Sequence, residues 1–203
     1  MEVTCIGCGI NCSYLPDICK YKFRCSFKQL VIWPEKNYYF KMAIHNIFIE
    51  KIPYCFIDGV IVVDFSRINI THYLDENWIN ELEKIGLKII IVAEASMVAL
   101  ANYWITHSQS ILSIIEVDDG INTIILRFRK LLEGRWMPGK KHPVFSRKEM
   151  TTLKLLLQGY STRDIAKRLS CTVRNVYDFR YSLRRKIGGL NNLNELFTII
   201  NIQ

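Results

Sequence analysis

Four short apolar runs in the first two-thirds of the chain each precede a stretch with helical spacing, and this alternation limits the fold more than any other feature. Leu30-Val-Ile-Trp33 ends at Pro34, and Tyr38 to Ile49 then carries Phe40, Ala43, Ile44, Ile47 and Phe48 at helical intervals. Val60-Ile-Val-Val63 is β-branched throughout and stops at Asp64. Trp78, Ile79, Leu82 and Ile85 follow as a stripe, with Gly86 where a C-cap belongs. Leu87 to Val92 precedes a helix that Ser96 caps and that runs to Thr106. Ile111 to Val117 precedes a helix opened by Asp118 or Asp119 and ended past Leu132 by Gly134. Strands that are β-branched without alternation are covered on both faces. The pattern therefore predicts an α/β domain, a parallel sheet with helices on its faces.

The alternation stops at Gly134-Arg-Trp-Met-Pro-Gly-Lys-Lys-His-Pro143, where two Gly, two Pro and four basic residues fall in ten positions. Gly and Pro punctuate elements, so the stretch reads as a linker. The domain reading is a Cys-rich segment over 1–28, the α/β domain over 29–133, a linker over 134–144 and a third unit over 145–203. Charge divides at the same place. Residues 1–133 hold 13 Lys+Arg against 15 Asp+Glu (−2), and residues 134–203 hold 14 against 4 (+10), which together make the +8 of the 203-residue chain. A basic module joined to a near-neutral one points to a polyanionic partner.

Composition also excludes some classes. Half the residues are hydrophobic, too many for a disordered chain. Lys88, Glu94 and Asn102 interrupt the most apolar stretch, Gly86 to Ile105, so no membrane span is expected. The first residues, MEVTCIGCGI, lack the basic-then-apolar run of a secretory signal. A cytoplasmic protein without membrane partners is expected.

In the basic third, Ser146 and Glu149 form a capping box that opens a helix through Leu157, ended by Gly159. Ser161 caps a second helix to Leu169, with Ile165, Ala166 and Leu169 on one face. After the turn Ser170-Cys171-Thr172, Thr172 caps a third helix from Val173 to Ile187, whose apolar face is Val176, Phe179, Leu183 and Ile187. Two helices across a three-residue turn, the second strongly basic, make an all-α helix-turn-helix unit. With the apolar face inward, Arg174, Tyr177, Asp178, Tyr181 and Arg185 point outward.

This segment resembles the LuxR/FixJ-type DNA-binding domain over about sixty residues. The matching positions are Phe145-Ser-Arg-Lys-Glu149, Leu156, Gly159, Ile165-Ala-Lys-Arg-Leu169, Asn175-Val176 and Lys186-Ile-Gly188. Asn175 replaces the usual Thr, and Phe179 the usual His. The resemblance implies double-stranded promoter DNA as partner. It places Tyr177, Asp178 and Tyr181, with Arg174 and Arg185 beside them, at base-reading positions. Arg suits guanine and Asp suits cytosine. Arg163, Lys167, Arg168, Asn175, Arg180, Arg184 and Lys186 are assigned to phosphates, which position without reading sequence. The family's fourth helix, here Asn192 to Ile202 with Leu193, Leu196, Phe197 and Ile200, implies a homodimer or a heterodimer with another LuxR-type regulator.

The α/β pattern resembles the receiver domain of response regulators with one unit missing. Asp64 then stands at the phospho-acceptor position. The metal-holding acid pair is replaced by Trp33-Pro34, with Glu35 nearby. Ala93 or Glu94 takes the hydroxyl position, and Glu116 or Val117 that of the Lys. Phosphoryl transfer depends on positioning and on neutralising charge, so a degenerate, non-phosphorylated receiver is expected. The alternative is a phosphorylation-dependent regulator using Asp64.

Trp33-Pro34 followed by Tyr38-Tyr-Phe40, Ala99-Leu-Ala-Asn-Tyr-Trp104 and Thr172-Val-Arg-Asn-Val-Tyr177 are similar to the enterobacterial common-pilus operon regulators, the MatA/EcpR group. That resemblance spans about residues 30–190 and implies a transcription regulator, not an enzyme, that activates fimbrial or other surface or virulence genes. Cys5, Cys8, Cys12, Cys19 and Cys25 crowd the N-terminus, with Cys55 and Cys171 elsewhere. Disulfides are not expected in the cytoplasm. The C-x2-C-x3-C spacing of Cys5, Cys8 and Cys12 is compatible with zinc or an iron–sulfur cluster, which leaves a metal- or redox-sensing regulator as a further alternative to a chain with no cofactor. An antagonist that pairs with another LuxR-type regulator without binding DNA is the remaining one.

Overall fold

The structure is a computed structural model and describes residues 2–5, 10–13, 30–52, 59–135 and 143–188. Four parallel strands form the centre of the sheet: β3 (Leu30–Trp33), β4 (Val60–Phe65), β5 (Lys88–Ala93) and β6 (Ile111–Glu116). Two N-terminal strands, β1 (Glu2–Cys5) and β2 (Ile10–Ser13), pair antiparallel with each other, and β1 pairs antiparallel with β3. The order across the sheet is β2-β1-β3-β4-β5-β6. In β4 every residue is buried. Its β-branched run thus does what it predicts, packing on both faces.

Helix α1 (Tyr38–Asn46) continues into one π turn, Ile47–Lys51, and lies with α4 (Ile121–Leu132) on one face of the sheet. Ile44, Phe48, Phe128 and Leu131 pack there against Ile32, Val62 and Ile90. Helices α2 (Asn77–Glu83) and α3 (Val98–Ile105) cover the other face, where Trp78, Leu82 and Trp104 meet Trp33, Val63 and Ile91. The connections β3–α1–β4 and β4–α2–β5 step the same way across the sheet on opposite faces, so they have opposite hands. Parallel crossovers are otherwise almost all right-handed. This is the arrangement left when a receiver loses the strand–helix unit at which its winding turns back. The β1–β2 hairpin occupies the vacated edge, beside β3.

Several local expectations shift. Asp64 does not end its strand; β4 runs on to Phe65, and Asp64 is only 3% exposed. Ser96 caps nothing and lies buried in a 3-10 turn, Ala95–Met97, that leads into α3. Asp118 and Asp119 form another 3-10 turn, and α4 starts after Gly120 without a side-chain cap. The N-terminal segment supplies the β1–β2 hairpin. Cys5 stands opposite Ile10 and Cys12 opposite Val3; Cys8, Cys19, Cys25 and Cys55 lie outside the described residues. Among the described residues, no cluster of three or more His, Cys, Asp or Glu is arranged to hold a metal.

The C-terminal unit is three helices: α5 (Arg147–Leu157), α6 (Thr162–Arg168) and α7 (Val173–Lys186). The expected fourth helix, 192–202, and most of the linker, 136–142, lie outside the described residues. Phe145, Met150, Leu153, Leu157, Leu183 and Ile187 belong to the same buried cluster as the α2/α3 face. Lys154 of α5 lies 3.6 Å from Asp75, just ahead of α2. A smaller cluster of Leu155, Ile165, Ala166 and Val176 joins the three helices to one another. No described helix is long and apolar enough to cross a membrane.

Candidate nucleic-acid interface

The geometry of the helix-turn-helix follows from its caps. Ser146 and Glu149 form the predicted capping box of α5, and Ser161 caps α6 by accepting from the Asp164 amide. Thr172 caps α7 in a second capping box, completed by Asn175 in place of the usual Glu or Gln. Such a cap contributes about 1 kcal/mol each. Helix α6 ends with Ser170 donating to the Lys167 carbonyl and Cys171 to the Ala166 carbonyl, the paired bonds of a Schellman end. The same motif ends α5 at Gly159. Its left-handed position is held by Gly159 (φ +82°) in one case and by Ser170 (φ +49°) in the other. A side chain in this region costs about 1 kcal/mol, and Ser170 accepts that cost to turn the chain from α6 straight into α7.

Val176, Leu183 and Ile187 are buried as the spacing predicts, and Phe179 is half-buried. On the opposite side Arg174, Tyr177, Asp178, Tyr181 and Arg185 are all exposed. Tyr177 is 58% exposed and Tyr181 61%. None of the five has a hydrogen-bond or ion-pair partner among the described residues.

The cations expected at phosphates separate by what holds them. Arg163 and Lys167 are exposed and unpartnered among the described residues, and Arg184 is half-buried. Arg168 lies over the Tyr160 ring, its guanidinium carbon 4.2 Å from the centroid, and donates to the Tyr160 hydroxyl at 3.0 Å. Arg180 donates to Thr162 Oγ1 at 3.2 Å. Asn175 uses its Oδ1 as the α7 cap, accepting from the Thr172 amide at 3.1 Å. Lys186 departs from the expectation. Its ammonium donates to both carboxylate oxygens of buried Glu149, at 2.7 and 2.9 Å, and to the Val144 carbonyl at 2.8 Å. All three donors of a lysine are then used inside the fold, so Lys186 ties α7 to α5. Burial pushes the Glu149 carboxyl up, but the Lys186 ammonium, the Ser146 amide and nearby serine hydroxyls outweigh it and leave the pKa below the ordinary value. Tyr160 and Thr162 were not legible as partners of these arginines, because Tyr160 precedes the cap of α6 while Arg168 ends that helix, and Thr162 and Arg180 lie on different helices.

The receiver-like site is closed. Asp64 Oδ2 accepts from Asn37 Nδ2 at 2.9 Å, and Asn37 also caps α1 by accepting from the Phe40 amide. The residue that meets Asp64 from the end of β3 is thus Asn37, two positions beyond the Glu35 noted in the sequence. The Asp64 carbonyl accepts from Asn69 Nδ2 and from the Tyr73 hydroxyl. Burial pushes the Asp64 carboxyl above its ordinary value; hydrogen bonds from Asn37, Ser66 and Asn69 oppose this, and the Glu94 charge adds to it. Glu94 itself pairs with Arg67 at 2.9 Å. Where a receiver places its lysine, Glu116 closes β6 as a buried acid.

A capped, basic helix with an unpartnered outer face, carried behind a receiver-like α/β domain, defines a DNA-binding transcription regulator. The chain belongs to the EcpR N-terminal domain family, which matches residues 4–132, and residues 143–199 match the luxR family of bacterial regulatory proteins. It is 28% identical over 196 residues to the uncharacterized protein YqeH of Escherichia coli K12, covering 97% of this chain and 92% of that one. Among solved structures it is distantly similar to a structure of two RcsB dimers bound to two parallel DNAs (16% identity, TM-score 0.43, 79% of this chain and 81% of that chain). It is also distantly similar to full-length FixJ from B. japonicum (16% identity, TM-score 0.28, 71% and 76%).

Proposed function

We propose that this regulator acts in the cytoplasm as a dimer that binds promoter DNA in a sequence-specific way through α7, activates fimbrial or other surface genes, and does so without phosphorylation of Asp64. The observation that carries the reading is the outer face of α7, where Arg174, Tyr177, Asp178, Tyr181 and Arg185 stand exposed on a helix held at its start by a capping box. A dimer follows from the LuxR-type resemblance and places two such helices on one side of the duplex. Asp64 supports a phosphate-independent mode. Its carboxylate is buried and bonded to Asn37, and a buried acid, Glu116, stands where a receiver places the lysine that meets the transferred phosphoryl group.

Genome-wide mapping of bound sites tests the reading, followed by binding of the purified chain to a mapped site and to its scrambled sequence. Tyr177→Ala is expected to lose about 1–3 kcal/mol at the mapped site and little at the scrambled one. Equal loss at both removes Tyr177 from base reading, and a chain that binds no genomic DNA favours the antagonist. Incubation with acetyl phosphate is expected to leave Asp64 unlabelled; label that disappears in Asp64→Ala restores the phosphorylation-dependent alternative.

A further inference from the structure

The cations of the helix-turn-helix differ in a way that bears on which of them serve DNA. Lys186 is held by a carboxylate, so its charge is cancelled where it is fixed. Arg163 and Lys167 are exposed without partners among the described residues, so their charge is available and their position is not set. Arg168 combines the two useful properties. A neutral partner fixes it: the Tyr160 ring under the guanidinium at 4.2 Å and the Tyr160 hydroxyl at 3.0 Å. No acid among the described residues pairs with it. Tyr160 is itself set by the core, packing against the cluster of Leu155, Ile165, Ala166 and Val176. It sits directly after the Schellman end of α5, and its amide closes that end on the Leu155 carbonyl.

We propose that Tyr160 is a positioning residue for DNA binding: it presents the Arg168 guanidinium, ordered and uncancelled, to a backbone phosphate beside the groove that α7 enters. The inference rests on the reading of the chain as a DNA-binding regulator. Ordering a long side chain on binding costs free energy, and a guanidinium already held in place loses less. The ring leaves the guanidinium free to meet a phosphate: one Nη2 donor bonds the Tyr160 hydroxyl, and the other four donors remain for an anion. Tyr160 touches no DNA in this account, so its removal lowers affinity while the charge count is preserved.

The test uses the full chain and a duplex without a mapped site, where binding is dominated by phosphates. Arg168→Ala is expected to weaken binding and to lower the slope of log affinity against log salt by about 0.9, the value for one lost phosphate contact. Tyr160→Leu keeps an apolar side chain on the small core. It is expected to weaken binding by about two- to fivefold, the range for an exposed cation–π contact, with the slope unchanged. Tyr160→Phe keeps the ring and is expected to recover most of that loss. In an Arg168→Ala background, Tyr160→Leu is expected to change nothing further. Equal loss from Tyr160→Leu with and without Arg168 overturns the proposal, since it assigns Tyr160 to general packing. An unchanged affinity in Tyr160→Leu overturns it too. If the unsubstituted chain binds no duplex at all, the DNA-binding reading fails and this role fails with it, an outcome distinct from wild-type binding with additive variants.

Discussion

Asp64 in the receiver-like domain and Glu149 in the helix-turn-helix are both almost completely buried, and the two have opposite consequences. Asp64, 3% exposed in the sheet, is held by Asn37, Ser66 and Asn69, all neutral, with Glu94 adding a like charge. Glu149, 4% exposed in α5, faces the Lys186 ammonium and accepts from the Ser146 amide at 2.6 Å. Hydrogen bonds without a counter-charge do not fully replace water around a carboxylate, so the pKa of Asp64 rises. An ammonium at bonding distance does, and the pKa of Glu149 falls. The difference teaches which domain is built around its acid. The helix-turn-helix uses Glu149 to fix α7 on α5, whereas the receiver-like domain carries Asp64 among neutral partners with no cation among the described residues to offset it.

The largest effect expected is that of Glu149→Gln. It leaves Lys186 half-buried without its counter-charge and weakens the α5 capping box. Breaking a buried pair costs about 3–5 kcal/mol, and the remaining Val144 bond puts the loss near the low end. Denaturant unfolding of the full chain measures it, and a loss below about 1 kcal/mol would break the contrast. Asp64→Asn is expected to act in the other direction, stabilising by about 1 kcal/mol at neutral pH, because Asn keeps an acceptor for Asn37 and removes a buried charge. Destabilisation by the same amount would mean that the ionised carboxylate is needed.

Acid sharpens the comparison. The folded pKa of Asp64 lies above its ordinary value, so its contribution is present at low pH and is lost as pH rises through that folded pKa. The folded pKa of Glu149 lies below its ordinary value, so its contribution is present at neutral pH and is lost as pH falls through that folded pKa. Between pH 7 and 3, midpoints of Asp64→Asn are expected to lack the rise on mild acidification, and those of Glu149→Gln the fall at stronger acid. Interchanged profiles would reverse the assignment. The smallest effect is expected at the junction of the domains. The Lys154–Asp75 pair is more than a third exposed on both sides, and Asp75→Ala is expected to cost less than about 1 kcal/mol. A larger loss by the same denaturant assay would show that the domains depend on this pair.

Much of the architecture was legible because it rests on local chemistry. The apolar runs beginning at Leu30, Val60, Leu87 and Ile111 became β3 to β6, and the Ser146, Ser161 and Thr172 caps opened α5 to α7 as expected. The outer face of α7 was readable from the 3.6-residue period alone. The β1–β2 hairpin was not, since four-residue strands in a cysteine-rich stretch have no distinctive period. Ser96 and the Asp118-Asp119 pair misled because a residue type suited to capping says nothing of the 3-10 turns that precede α3 and α4.

The amino-acid sequence by itself determined the order and type of the elements from Leu30 to Lys186 and the side of α7 that faces solvent, because periods, caps and turn residues act over a few positions. Only the tertiary structure decided what each charged group is for. Asn37 reaches Asp64 across 27 residues, and Lys186 reaches Glu149 across 37. No local pattern encodes such meetings. They separate a basic residue that holds the fold together from one whose charge stays available, because a charge is available to a partner only where folding has not already supplied its counter-charge.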